Sequence, residues 1–282
     1  MNQAYSNEKY WLNLHEELDG SLRAVGWPSL SEGFNQIKYA SERASLLQVL
    51  ELLALEGSPN ILEVGVGIGF WLSIVKDFYA KQGFSPMLTA ADISPEALSG
   101  VLKRNPDITT QQLDLQSVPE NLLSEQFDLV LALMVLLHLT APAAFENGLK
   151  FSAASVRPGG FLVLYEPAIV QDYSPWLERS IAADDNSLSR SLSDFDEILF
   201  AAGFQRREIV PGASWLTNSP IEAPSRIRFQ LQRLVWQVLA KTVYGSDGLS
   251  VRSRATLLNL DSKIKQSGLG QSGKFIIYQK TS

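Results

Sequence analysis

The 282-residue chain contains no cysteine and only two histidines, His15 and His138. Without a thiol, disulfides, thiolate metal sites and a cysteine nucleophile are excluded, and the redox compartment is left open. Imidazole chemistry is confined to two positions. Long apolar runs are missing as well, since the most apolar stretch, residues 129–137, is too short to span a bilayer. The N-terminal Met1-Asn2-Gln3-Ala4-Tyr5 carries no charged-then-apolar leader, so a soluble protein is expected, cytoplasmic by default. Basic residues are the minority, 24 Lys and Arg against 30 Asp and Glu, for a net charge of -6. That balance disfavours nonspecific binding to phosphate backbones, and no nucleic-acid partner is expected.

What is present is enough apolar material, 45% of residues, for one substantial core with appended helices. The chain is organised around residues 61–75. Residues 61–64 read as a buried parallel strand, Gly65, Gly67 and Gly69 as a loop, and Ile68, Trp71, Leu72 and Val75 recur with helical period. Glycines there permit positive φ and let a ligand lie against backbone at a helix N-terminus, where unpaired N–H groups suit a nucleotide-like molecule. The dinucleotide fingerprint would require a third glycine at the position of Phe70. Glu63 is a carboxylate within an apolar strand and needs a partner.

Residues 87–92 read as a second strand ending in an acid, and Ser94-Pro95-Glu96 as a helix start. Asp92 then stands at the carboxyl end of a strand in a doubly wound sheet, where it can accept both hydroxyls of a ribose, each charge-assisted bond contributing roughly 1.5–3 kcal/mol. Dehydrogenases also keep an acid at this point.

The run Ile61-Leu62-Glu63-Val64-Gly65-x-Gly67-x-Gly69 resembles the first motif of the seven-stranded, class I S-adenosylmethionine-dependent methyltransferases. Further motifs follow in that family's order: Asp114-Leu115 after a strand at 108–113, Phe127-Asp128-Leu129-Val130 after Val118-Pro119, and Arg157-Pro158-Gly159-Gly160 before a strand at 161–165. A helix at 193–202 and strands at 205–210 and 274–279 complete the count. The resemblance implies an α/β fold with a doubly wound, mostly parallel seven-stranded sheet. Its divisions would be an N-terminal helical lid (1–57), an S-adenosylmethionine-binding Rossmann-like core (58–211), a helical cap insert (212–273) and the last strand (274–282).

By the same resemblance the cofactor is S-adenosylmethionine, with S-adenosylhomocysteine as product. Its contacts would be Glu63, Gly65, Gly67, Gly69, Asp92, Ile93, Leu133, Asp114 toward the adenine amino group, and Leu115 through its backbone. Tyr39 and Arg43 would face the methionine end, Arg43 pairing with the carboxylate, unless Arg43 is a solvated helix residue. After the fourth strand come Ala132-Leu133-Met134-Val135, without the carboxylates that hard divalent cations require, so no metal is expected. The Asn/Asp-Pro-Pro-aromatic motif of methyltransferases acting on nucleobases or protein glutamine is also missing there.

The expected activity is metal-independent methyl transfer to a small molecule, most readily at a hydroxyl or carboxylate oxygen. Nitrogen or carbon acceptors, a catalytically silent binding protein, and a nicotinamide-dependent dehydrogenase stay open as alternatives, as does the oligomeric state. His138, a turn past the fourth strand, is the candidate general base, against a purely packed histidine; His15 in the lid is a second candidate. Arg190 and Trp236 are candidate substrate contacts.

The insert is the most individual feature. A helix at 225–244 carries one stripe of Ile227, Leu231, Leu234, Val235 and Val238 and another of Phe229, Trp236 and Val243, so two-sided packing is expected. Residues 212–265 hold eight basic against three acidic residues, a net +5 beside -11 for the remainder. This suggests an acidic acceptor or a membrane-surface contact, or simply a solvated face.

Overall fold

The structure, a computed structural model, describes residues 10, 11, 13, 14, 17, 18, 20–118, 127–177 and 186–281. Seven strands form one sheet: β1 (Asn60–Val64), β2 (Met87–Asp92), β3 (Thr109–Gln112), β4 (Phe127–Leu133), β5 (Val156–Glu166), β6 (Phe204–Pro211) and β7 (Lys274–Lys280), in the order β3-β2-β1-β4-β5-β7-β6. Strands β1 to β5 pair in parallel, and β7 runs antiparallel between β5 and β6. The order reverses between β1 and β4, which opens a crevice at their carboxyl ends.

The helices are α1 (Glu32–Leu53), α2 (Phe70–Ala80), α3 (Pro95–Arg104), α4 (Pro142–Ala154), α5 (Leu192–Ala201), α6 (Arg226–Lys241) and α7 (Asp247–Gln266). Ile61 and Leu129 pack with Leu46 and Leu50 of α1, Leu72 and Val75 of α2 and Val101 of α3 on one face. Leu62 and Val130 pack with Phe145 and Leu149 of α4 and Phe195 and Leu199 of α5 on the other. Serine caps start several helices: Ser94 accepts from Ala97 N–H ahead of Pro95, and Ser191 forms a capping box with Asp194.

Two readings change. Arg157-Pro158-Gly159-Gly160, expected ahead of a strand at 161–165, lies inside β5, where the pairing register to β4 shifts between Phe127 and Leu129. Gly160 is needed there because a Cβ would sit 2.9 Å from the Asp128 carbonyl oxygen. Asp128 in turn accepts the Asn60 N–H at 2.7 Å and pairs with Arg157 at 2.5 Å, tying the start of β4 to β1 and β5. The α6 helix packs on one side only: Phe229 and Gln232 are its buried residues, Trp236 leans on Trp27, and the five-residue aliphatic stripe faces solvent.

The α1 helix is a fixed wall, with 13 of its 22 residues buried. Its apolar side meets the sheet through Leu46, Val49, Leu50 and Leu53. A second buried side is polar, with Lys38, Ser41, Glu42 and Ser45 at helical spacing. Lys38 and Glu42 pair at 2.8 Å, and Tyr165 at the end of β5 donates to Glu42 Oε1 at 2.6 Å. Ser41 donates to Asp261 of α7, which also accepts from Thr217 (2.6 Å) and from the Ser214 N–H (3.0 Å). Helix α7 is thereby held against α1 by a satisfied polar seam.

Removing one partner of a buried charge strands the other. Glu42→Ala is expected to cost about 3–5 kcal/mol, measured by urea denaturation, and adding Lys38→Met should restore part of that loss by removing the uncompensated ammonium.

Candidate active site

The crevice becomes a site through the loops that leave β1, β2 and β4. After β1, Gly65, Gly67 and Gly69 all take positive φ (72°, 51° and 74°), a backbone that a side chain would strain. Gly65 is also required sterically, because its Cβ would come 2.4 Å from Val135 Cγ2. Gly65 and Val66 donate N–H to the Ala91 carbonyl, and Gly67 N–H reaches Asp92 Oδ2 at 2.8 Å. The other oxygen of Asp92 accepts Ser94 N–H at 2.9 Å, so the carboxylate is fixed before any ligand arrives.

After β4 the chain turns at Met134, a non-glycine residue with φ 58° whose N–H donates to the Tyr165 carbonyl at 2.7 Å. Glu166, buried at the end of β5, accepts Leu136 N–H (2.8 Å) and Leu137 N–H (3.2 Å). Arg190 grips the same segment through its carbonyls, donating to Leu139 O (2.5 Å) and Thr140 O (3.2 Å) while stacking 3.9 Å from the Phe145 ring centre. Held on both its donor and its acceptor sides, the turn presents Met134, Val135, His138 and Leu139 to the crevice.

The resulting cleft, about 920 Å³ counted with its open mouth, is mainly apolar. Its walls include Val66, Gly67 and Ile68 from the glycine loop, Asp92 and Ile93 after β2, Leu113 to Gln116 after β3, and Leu133 to Val135 after β4. Trp11, Val25, Tyr39, Phe70 and Trp71 close the remaining side. Tyr39 is oriented by its O–H, which donates to the Val25 carbonyl at 2.7 Å, and by edge contacts to Phe70.

His138 faces this cleft with Nδ1 2.7 Å from the Asn186 carbonyl. A carbonyl only accepts, so Nδ1 carries the proton and the lone pair of the neutral ring is on Nε2. Burial pulls the pKa of His138 down to about 4, against the raising effect of the Asn186 hydrogen bond. The ring meets Trp11 edge-on at 4.7 Å.

Among the expected site residues, Tyr39, Gly65, Gly67, Asp92, Ile93, Asp114, Leu115, Leu133 and His138 line the one cleft. Others do not. Arg43 is exposed, because positions 42, 46 and 49 of α1 take the sheet-facing side and leave 43 to solvent. Glu63 lies beneath the glycine loop on the face of Ile61; burial, then Asp92, raises its pKa well above the usual carboxylate range, and the first-turn N–H of Leu72 is the group that opposes the shift. Gly69 caps α2 and makes room for Val101. Arg190 is occupied by backbone carbonyls, and Trp236 lines a separate groove with Trp176 and Arg233. His15 lies outside the described residues.

Sequence reasoning missed Trp11, Trp71, Met134, Val135 and Glu166. Trp71 and Glu166 had a usable signal, one directly behind the glycines and the other an acid at a strand's carboxyl end like Asp92. Among the described residues no cluster of three or more His, Asp or Glu could hold a metal ion.

Compared with known proteins, residues 38–208 match a family model described as a methyltransferase domain. Among solved structures, the magnesium protoporphyrin IX methyltransferase of Synechocystis PCC 6803 with bound SAM aligns over 100% of both chains at 12% identity, with a TM-score of 0.56. The YcgJ protein of Bacillus subtilis aligns over 85% of this chain and 99% of its own at 13% identity, with a TM-score of 0.52. At such identities the likeness is one of fold. No curated protein matches the sequence.

Burial lifts Glu166 from 4.5 to about 8, while the backbone donors and Arg190 oppose the shift. Between those values the folded chain keeps a proton that the unfolded chain releases, so this group lowers stability as pH rises through that window. Glu166→Gln should flatten that slope, read as urea midpoints for both proteins at pH 5 and pH 8; parallel slopes would show that Glu166 does not carry it.

Proposed function

Because this chain belongs to the methyltransferase-domain family, we propose that it transfers a methyl group from S-adenosylmethionine to a hydroxyl oxygen of a small molecule, without a metal. The observation that carries the oxygen assignment is His138, which shares one cleft with the glycine loop and Asp92.

The residues present fit the cofactor. Asp92 faces the cleft at the carboxyl end of β2 with its carboxylate oriented by the Gly67 and Ser94 N–H groups, the place and chemistry suited to the hydroxyls of a ribose. Asp114 accepts Gln116 N–H at Oδ1, which leaves Oδ2 for an adenine amino group, with Leu115 beside it. Ile93, Leu113 and Leu133 offer apolar walls for the base. When bound, S-adenosylmethionine supplies an electrophilic methyl on a sulfonium sulfur.

The chain's own task is then orientation and proton removal. Aligning acceptor and methyl in a cleft walled by Trp11, Phe70, Trp71 and Val135 can contribute roughly 7–11 kcal/mol toward the barrier. With an acceptor hydroxyl seated in the cleft, Nε2 of His138 would take its proton as the oxygen receives the methyl that the cofactor would supply. The Nδ1–H to Asn186 hydrogen bond holds the tautomer whose lone pair is on Nε2.

Three outcomes test this reading. Asp92→Ala should weaken S-adenosylmethionine binding by about 1.5–3 kcal/mol for each charge-assisted bond removed, measured by titration calorimetry. His138→Asn should leave that affinity intact and lower turnover about 10²–10⁴-fold on a hydroxyl acceptor, whereas unchanged turnover would return His138 to a packing role. Because its pKa is lowered to about 4, His138 is already neutral at pH 6.5, and the acid limb of kcat should fall near pH 4.

A further inference from the structure

We propose that helix α6 docks this protein onto the surface of an anionic lipid bilayer. The inference rests on the outer face of the insert and is independent of the methyl-transfer reading. Ile227, Leu231, Leu234, Val235 and Val238 are 76%, 60%, 59%, 45% and 54% exposed. At 100° per residue they fall within an arc of about 100° and extend about 16 Å along the helix. Five large aliphatic side chains held together in water on one helix face are costly for a free surface.

The charge around that arc identifies its counterpart. Arg226, Arg228, Arg233 and Lys241 are the only charged residues of α6, and no carboxylate interrupts them. Arg228 borders the stripe on one side and Lys241 on the other, each about 20° beyond its edge, while Arg226 and Arg233 lie about 80° and 100° beyond the Lys241 edge. Apolar centre with cations on both margins matches the layering of a bilayer surface, with side chains among acyl chains and cationic heads among anionic headgroups. The remaining body, at -11 against +5 for residues 212–265, would be repelled by the same surface, which orients the insert toward it. A second copy of the chain fits less well, because a two-fold contact through this stripe would bring the flanking Arg228 and Lys241 of both copies into one interface with no carboxylate of the helix to offset them. Among the described residues no helix is long and apolar enough to cross a membrane, so the contact is interfacial.

The test is co-sedimentation of the full chain with phosphatidylcholine vesicles and with vesicles that also contain phosphatidylglycerol, at low and high salt. Binding is expected only with phosphatidylglycerol, and it should weaken as salt rises. Leu231→Gln/Leu234→Gln should reduce partitioning by about tenfold or more, with melting temperature and S-adenosylmethionine affinity unchanged. Arg228→Gln/Lys241→Gln should reduce both binding and its salt dependence. The proposal is overturned if anionic vesicles leave the protein in the supernatant, or if the leucine pair binds as the parent does. It is overturned equally if sedimentation velocity finds a dimer that the leucine pair dissolves.

Discussion

Backbone N–H groups that leave the end of a parallel strand have no ladder partner, and burying them unpaired is costly. Two acidic side chains meet that demand here. Asp92 at the end of β2 takes Gly67 and Ser94, and Glu166 at the end of β5 takes Leu136 and Leu137. Each acid stands on a strand adjacent to a central one and gathers the loop that the central strand releases, β1 in one case and β4 in the other. The cleft between those loops is therefore rigid before a ligand enters. Asp92 faces the cleft, whereas Glu166 supports the turn carrying His138 from behind.

The two glycine constraints act in different ways. Gly65 needs its bare Cα because Val135 from the post-β4 turn lies on it, so the two loops interlock. Gly69 needs its own because Val101 of α3 does. In this chain the missing Cβ atoms at both positions are used for packing between elements of the fold.

Much of the sheet was legible from residue order. Fully buried parallel strands read as apolar runs, and β2 has the bounds expected from its pattern, while β4 opens at the expected Phe127. The positions of Asp92, Asp114, Gly65 and Gly67 around the cleft were legible because their place at a strand's end defines their surroundings. Arg43 and Arg190 were not. A cation's sequence neighbours do not say whether its head meets a ligand, solvent or backbone carbonyls, and the packing of α1 and of residues 136–140 gave opposite answers for the two. The polar stripe of α1 was illegible for the same reason, since Lys38, Ser41, Glu42 and Ser45 at helical spacing have the pattern of a solvated face.

Residue order alone specified the strands, the glycine loop, the acid at the end of β2 and the amphipathic character of α6, because each depends on local periodicity or backbone freedom. Which face of α6 would remain bare, which polar stripe would be buried, and which loops would interlock depended on contacts between residues far apart in the chain. Tyr165 reaches Glu42, and Asp261 reaches Ser41, across more than a hundred intervening residues. Such pairings are selected by the joint packing of the sheet with α1 and α7, and no local pattern encodes them.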